Sequence, residues 1–469
     1  MQEKLYFYYT NDLHSNFANW SRVAGYLKEQ KEKALERNES CWLVDIGDHV
    51  DRVDPIAEAF MGKANVRLMN DVGYDLATLG NNEGITMAHE DLYHLYDDAT
   101  FEVVCANLHS LSDDEPEWLQ ASVHVNSASG VRLGIIGLTA PFNAFYELLG
   151  WHVSDPLKTL EKHVQQLKKE ADIIVLLSHL GLNEDQEIAR RLDDVDVIIG
   201  GHTHHLLRTG ETINNTLITA AGKHCTFAGE VILTWDHAKQ TVVKKEAYTK
   251  DVSHLPKDME TVQTLHALSD RADALLEQPI VHLERPLQVK WFQHTALMQR
   301  LTDVLKQWTN ADAALLNAGV LLDQLQAGDV TSKDIHRICP HPINPCVVEL
   351  YGDELMEVIR ASLTKDLTEL KLKGFGFRGE VIGKMIFSGL DVETVTREDG
   401  NEYVESVQFQ GEKLDYDKKY VVATADTFTF GRLLPEVAKS EVKRYFLPEF
   451  LRDLLTYALK DYFSSDTMR

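Results

Sequence analysis

Two aspartates, one asparagine and four histidines stand in short polar clusters, each placed directly after an apolar run. The clusters are Asp12-Leu13-His14, Gly47-Asp48, Gly80-Asn81-Asn82-Glu83, Ser178-His179 and Gly200-Gly201-His202-Thr203-His204. Carboxylates, imidazoles and one amide oxygen form a donor set suited to divalent transition metals. Two such ions about 3.5–4 Å apart make a site that hydrolyses phosphate esters. Asp12 and His14 are two residues apart on a segment expected to be extended, which would turn both side chains to one face. His202 and His204 repeat that spacing after a Gly-Gly turn. Asp48 follows a glycine that permits a sharp turn, and its carboxylate can give one oxygen to each ion. His179 closes an apolar run, and Asn81 adds a neutral oxygen. Taken singly, a histidine in a turn is usually solvated or capping, and an aspartate at a strand end is usually a helix N-cap. The signal lies in the whole set. His205 carries no mark of a ligand and is expected behind the ligands or on the surface.

The elements that must position these groups follow from the apolar pattern. Strands are expected at Leu5–Thr10, Cys41–Ile46, Leu76–Leu79, Val103–Ala106, Val131–Leu138, Ile173–Leu177 and Val195–Ile199, with helices at Asn19–Lys33 and Pro55–Val72. Apolar runs without polar alternation suit strands covered on both faces, and strand-helix alternation predicts an α/β sheet. Each polar cluster falls at the carboxyl end of a strand, the edge where open α/β sheets bind ligands. After about Val252 the texture changes. Thr261–Glu277 reads as a linking helix ended by Pro279. A second α/β pattern follows: helix Gln293–Gln307, strand Ala313–Leu316, helix Gly352–Leu363, strands Lys384–Leu390 and Tyr420–Ala425, and a helix from Pro448 onward. The expected domains are 1–252, a helical linker 253–280, and 281–469.

A chain of 469 residues has room for two domains or more. Its net charge of −26, from 47 basic and 73 acidic residues, argues against nucleic acid as the partner. A small phosphorylated substrate stays compatible, because bound metal supplies local positive charge. The five cysteines are odd in number and irregularly spaced, and read as buried reduced thiols. Met1-Gln2-Glu3-Lys4 leads straight into a strand, and no apolar run is long enough to span a bilayer. The expectation is a cytoplasmic protein with no membrane partner.

The order and wording of the clusters resemble the calcineurin-like metallophosphoesterases, and more closely the 5′-nucleotidase family. The resemblance implies a four-layer αββα sandwich plus a second α/β substrate-specificity domain. It implies two divalent ions, for which Zn, Mn, Fe and Co fit alike. The first would be held by Asp12, His14, Asp48 and His204, the second by Asp48, Asn81, His179 and His202. A water bridging the two ions would ionise near neutrality and attack phosphorus in line. The substrate implied is a nucleotide or nucleotide-like phosphate ester. Alternatives are a cyclic-nucleotide phosphodiesterase, a nucleotide-sugar pyrophosphatase, or a catalytically weak metal- and nucleotide-binding protein.

That last alternative arises because the chain departs from the family. The family's Asn-His-Glu motif carries a catalytic histidine supported by a downstream aspartate. Here Asn82 and Ile85 occupy those positions. An amide can donate to a phosphoryl oxygen but cannot pass a proton to a leaving group. His49 and His89 are the nearest alternative donors in sequence. In the C-terminal half, Asn317-Ala318-Gly319 resembles the family's Asn-x-Gly-Gly loop. Asn317, Arg378, Phe428 and Phe430 are the candidate substrate contacts, with Arg432 a further phosphate partner. Either phenylalanine taken alone is as readily a core residue.

Overall fold

The computed structural model describes residues 1–466 apart from 113, 375, 399–400 and 432, with side chains described through residue 461. The chain packs as two units, Met1–Ala272 and a second from Asp273 onward.

In the first unit the apolar strands build two sheets. The seven-stranded sheet runs in the order Thr241–Asp251, Phe227–Asp236, Gln2–Thr10, Ser40–Asp45, Leu76–Ala77, Glu102–Val104, Leu119–Gln120. The six-stranded sheet runs Glu211–Ile213, Thr216–Thr219, Val197–Gly200, Ile173–His179, Arg132–Thr139, Ser122–Asn126. Alternation along each strand sends neighbouring side chains to opposite faces. Leu5, Phe7 and Tyr9 meet Ile135, Val175, Leu177 and Ile199 in one core between the sheets. Ile136, Leu138, Ile174 and Leu176 face the other way, onto Leu160, Val164 and Leu167 of helix Pro156–Glu170 and Ile188 of helix Leu182–Arg191. Helix Trp20–Glu36 packs on the outside of the other sheet, burying Val23, Ala24 and Leu27 and setting Tyr26 edge-on to Tyr8 at 6.2 Å. The result is a helix-sheet-sheet-helix sandwich. Each fully buried Leu, Ile or Val there contributes about 1.5–3 kcal/mol.

The second unit is built on a mixed sheet ordered Met385–Ser388, Ala313–Asn317, Lys419–Ala425, Pro345–Tyr351, Lys443–Tyr445. Helices Ala296–Thr309, Gly352–Ser362 and Leu451–Asp466 contribute Leu301, Val304, Ile359 and Leu455 to its core. Two expectations need correction. The helix read over Pro55–Val72 is two helices, Pro55–Phe60 and Lys63–Val72. Met61 and Gly62 take left-handed backbone between them, at φ 47° and 78°, which ends one helix and starts the next. The hairpin Phe227–Asp251 carries no cluster and was not read as strand; it pairs antiparallel with Gln2–Thr10 and extends the sheet past its parallel part. The linking helix runs Met259–Leu276, and its start is tied into the first unit by Lys28 Nζ at 3.0 Å from Asp258.

Candidate metal centre

Strand Gln2–Thr10 ends before Asp12, so the extended-segment argument for Asp12 and His14 is wrong. Both residues have φ 51°, as do Asp48 at 50°, His202 at 69° and His204 at 57°. Left-handed backbone at a non-glycine residue costs on the order of 1–3 kcal/mol and gathers at functional sites. Two backbone bonds hold the first turn to the second: Asp12 N–H to Gly47 O at 3.0 Å and His14 N–H to Asp48 O at 2.8 Å. The Asp48 and Asn81 turns meet through glycine. A Cβ on Gly47, at φ 84°, would lie 2.1 Å from Gly80 N, and one on Gly80 would lie 2.0 Å from Asp48 Oδ1.

These turns bring the donors to one basin. Nε2 of His14 is 3.8 Å from Asp12 Oδ1, 3.7 Å from Asp48 Oδ2 and 3.0 Å from His204 Nε2. His204 Nε2 is 3.4 Å from Asp12 Oδ1. On the other side, His179 Nε2 is 3.3 Å from Asp48 Oδ1. Asp48 thus presents one oxygen to His14 and the other to His179. Asp12, His14 and His204 form one compact donor group, and Asp12, Asp48 and His179 another. The His202 ring stands 5.2 Å from that of His179, outside both groups, while its backbone N–H donates to Asp12 Oδ2 at 3.0 Å.

A cation fits this basin. His179 Nδ1 is 2.7 Å from Ile46 O, which fixes a proton on Nδ1 and leaves Nε2 as the nitrogen turned toward a metal. Both His179 Nε2 and Asn81 Oδ1 are buried without a hydrogen-bond partner. Buried polar atoms are rarely orphaned without a functional reason. Burial opposes a charged imidazole at His179, yet Asp48 and Asp12 push its pKa up to about 10. Burial likewise resists ionisation of Asp48, but His179 and His14 hold it well below the usual carboxylate range. The basin demands positive charge, which divalent ions supply.

Several supporting groups carry weaker sequence marks. Glu83 is fully buried, and its carboxylate accepts N–H from Asp48, Gly80 and Val50 at 3.1, 3.0 and 2.8 Å. It clamps the Asp48 turn to the Asn81 turn, and its place within the Asn81 cluster was the available signal. Asn11 donates to Asp12 Oδ2 and to Gly222 O, both at 2.6 Å. Asp51 Oδ2 lies 3.6 Å from His14 Nδ1. The His224 ring is 6.0 Å from that of His14, and nothing in the sequence marked it. His205 is exposed and contacts Thr203 Oγ1 at 2.8 Å.

Comparison with known proteins agrees with this geometry. Residues 5–206 match the calcineurin-like phosphoesterase family, and residues 276–432 match the 5′-nucleotidase C-terminal domain. The uncharacterized metallophosphoesterase YunD of Bacillus subtilis is 41% identical over 98% of this chain and 100% of its own. The chain belongs to the 5′-nucleotidase family of metallophosphoesterases. The 5′-nucleotidase of Vibrio cholerae is 23% identical over 77% of this chain and 76% of its own. The solved NAD nucleotidase of Haemophilus influenzae superposes with a TM-score of 0.69 at 16% identity, covering 98% of this chain and 97% of that one. This family member is a metal-dependent phosphoester hydrolase.

Within the metallophosphoesterase, Asn82 lies beside the donor basin. Its amide nitrogen is 2.8 Å from His14 Nδ1, and its backbone N–H donates to Asp48 Oδ1 at 2.8 Å. Ile85 is half-buried at the end of the short helix Asn81–Ile85. The two histidines nearest in sequence are engaged elsewhere. His49 is 1% exposed, lies edge-on to Trp20, and burial pushes its pKa down to about 3. His89 stacks on Trp151 at 4.8 Å.

The C-terminal candidates fare differently. Phe428 has no exposed surface and belongs to the core, so its expected stacking role is withdrawn: a ring without a free face cannot meet a base. Asn317 is 3% exposed, and its amide donates to Ile382 O at 3.0 Å, which commits it to holding its own loop. Phe430 is half-buried and parallel to Tyr445, with centroids 6.4 Å apart and planes 8° from parallel. Tyr445 was missed because it lies on a short strand with no motif. Arg378 is exposed, and its backbone N–H donates to buried His341 Nδ1 at 2.9 Å. Arg432 lies outside the described residues.

Proposed function

We propose that the basin holds two divalent ions, one on Asp12, His14, Asp48 and His204, the other on Asp48, Asn81, His179 and His202, and that the substrate is a nucleotide or nucleotide-like phosphate ester. The observation that carries this reading is the pair of buried, unpartnered donors, His179 Nε2 and Asn81 Oδ1, beside a carboxylate that faces both donor groups. Divalent ions there supply an activated water and neutralise charge on the phosphoryl oxygens. The chain's own part is to fix the donors. Glu83 locks the Asp48 and Asn81 turns, Ile46 sets the tautomer of His179, and Asn11 orients Asp12.

Asn82 works chiefly on His14. A histidine that gives Nε2 to a metal keeps its proton on Nδ1, and the Asn82 side chain, 2.8 Å away, accepts a hydrogen bond from that N–H through its oxygen once the amide is turned. The site then lacks a general acid, a group worth about 10²–10⁴-fold. This favours a second reading of the substrate: esters and anhydrides with good leaving groups, including nucleotide-sugar pyrophosphates, over simple monophosphates. In the C-terminal unit, Phe430 and Tyr445 are the proposed contacts for a base, with Arg378 as a phosphate partner.

The test is reconstitution with Mn²⁺ or Zn²⁺, elemental analysis, and turnover of nitrophenyl phosphate, AMP and a nucleotide sugar. Two ions per chain with metal-dependent turnover support the reading. A single tightly bound ion with full activity sinks the dinuclear assignment.

A further inference from the structure

An aromatic side chain, Phe142, stands beside His202 at the edge of the donor basin. Strand Arg132–Thr139 lies parallel to Ile173–His179, with Thr139 paired to His179. It therefore ends at the same edge as the donors, and the next residues are Ala140, Pro141 and Phe142. Phe142 is 39% exposed, and its ring centroid is 5.8 Å from that of His202 with the planes tilted 56°.

The ring is mounted on a fixed base. Phe142 O accepts N–H bonds from Phe145 and Tyr146 at 2.8 and 3.1 Å, which start the short helix Asn143–Tyr146. Asn143 is bonded to Val153 in both directions, donating to its O and accepting from its N–H, each at 2.8 Å. Tyr146 is fully buried against the Asn81–Asn82 turn: a Cβ on Gly84 would lie 2.2 Å from its hydroxyl. The mount joins Phe142 to the turn that carries Asn81.

A lone exposed apolar side chain needs no explanation in general. A part-exposed aromatic ring beside His202, on a clamped support, is another matter. The polar donors can hold the phosphoryl group. They offer nothing to the group esterified to it. We propose that Phe142 is a specificity-determining residue that packs against the organic group esterified to the phosphoryl group, and that an apolar, planar ring in that group is favoured. This rests on the phosphoester-binding reading of the basin. It deepens that reading by giving the N-terminal unit a selective contact of its own to the esterified group.

The test uses the full chain loaded with Mn²⁺ and two phosphonates with an uncleavable P–C bond, phenylphosphonate and methylphosphonate. Their affinities are compared by calorimetry, with metal content measured in each sample. Wild type should prefer the phenyl compound by about tenfold, the value of burying one ring face. Phe142→Ala should bring that ratio close to one, and Phe142→Leu should fall between. Metal content should match wild type, since a fall would assign Phe142 to holding His202 instead and overturn the proposal. Equal wild-type affinity for the two compounds, or a ratio that survives Phe142→Ala, also overturns it while the hydrolase reading stands. If loaded wild type binds neither compound, both fall together.

Discussion

In the N-terminal unit the chemically marked residues are held against local preference; in the C-terminal unit two of them, Asn317 and Phe428, are absorbed by the fold. Asp12, His14, Asp48, His202 and His204 sit in left-handed backbone, and His179 and Asn81 keep buried atoms without partners. Asn317 has ordinary extended backbone, at φ −86° and ψ 136°, and a satisfied amide, while Phe428 fills core. Strain and unsatisfied polarity persist only where surrounding structure enforces them. The contrast separates candidate ligand donors from residues that complete a fold.

The sharpest way to break this contrast is Asp48→Asn. Asp48 faces both donor groups, so its loss should lower kcat/KM by about 10³-fold or more. Elemental analysis should show less than one ion per chain. Full metal content would show that Asp48 is no more strategic than a satisfied core residue.

The next effect concerns the Asn82 turn. Activity should depend steeply on leaving-group pKa across a series of aryl phosphates. Asn82→His alone should help little, because Ile85 provides no carboxylate to orient the imidazole. Asn82→His with Ile85→Asp should raise AMP turnover by about 10²-fold, toward the range of a general acid, and beyond the sum of the single changes in free energy. Equal wild-type rates on AMP and nitrophenyl phosphate would remove the basis for this expectation.

A third test separates the units. Residues 1–276, ending with the helix Met259–Leu276, should fold, bind metal and cleave nitrophenyl phosphate. Discrimination among bases should be lost if Phe430 and Tyr445 supply it. Retained base preference in the fragment would move that function to the N-terminal unit.

The smallest effect tests the satisfied character of the C-terminal unit. His341 is fully buried, stacks on Phe377 at 5.3 Å, and contacts Val320 O through Nε2 at 2.9 Å. Burial pushes its pKa down to about 3. The unfolded chain binds this proton below about pH 6.5, whereas the folded chain does not until about pH 3. His341 therefore stabilises the unit above about 6.5, and that contribution is lost as pH falls, by about 1.4 kcal/mol per pH unit. His341→Gln should be less stable than wild type at pH 7.5, with the gap in melting temperature narrowing at pH 5. A constant gap would show that the imidazole is not held neutral.

Much of the candidate site was legible because strand ends can be read from apolar runs, and the candidate donors cluster where those runs stop. His179 shows this best: it ends the strand Ile173–His179, as the run before it implied. Asp12 and His14 were found for a mistaken geometric reason, since they lie in a left-handed turn and not on a strand. Phe428 and Phe430 could not be told apart, because the 3₁₀ turn Asp426–Thr429 holds the first and ends just before the second, so spacing does not reveal which ring faces the core. Tyr445 and His224 stayed hidden because their neighbours come from distant parts of the chain.

The sequence by itself determined the candidate donor types, the strand ends that carry them, the family, and that an asparagine stands at position 82, because each of these is local chemistry or local order. The tertiary structure decided that Glu83 clamps two turns and that Asn82 leans on His14. It also placed Phe142 beside His202 and sank Phe428 into the core. Those outcomes depend on which distant segments share space, and close packing rather than local propensity settles that.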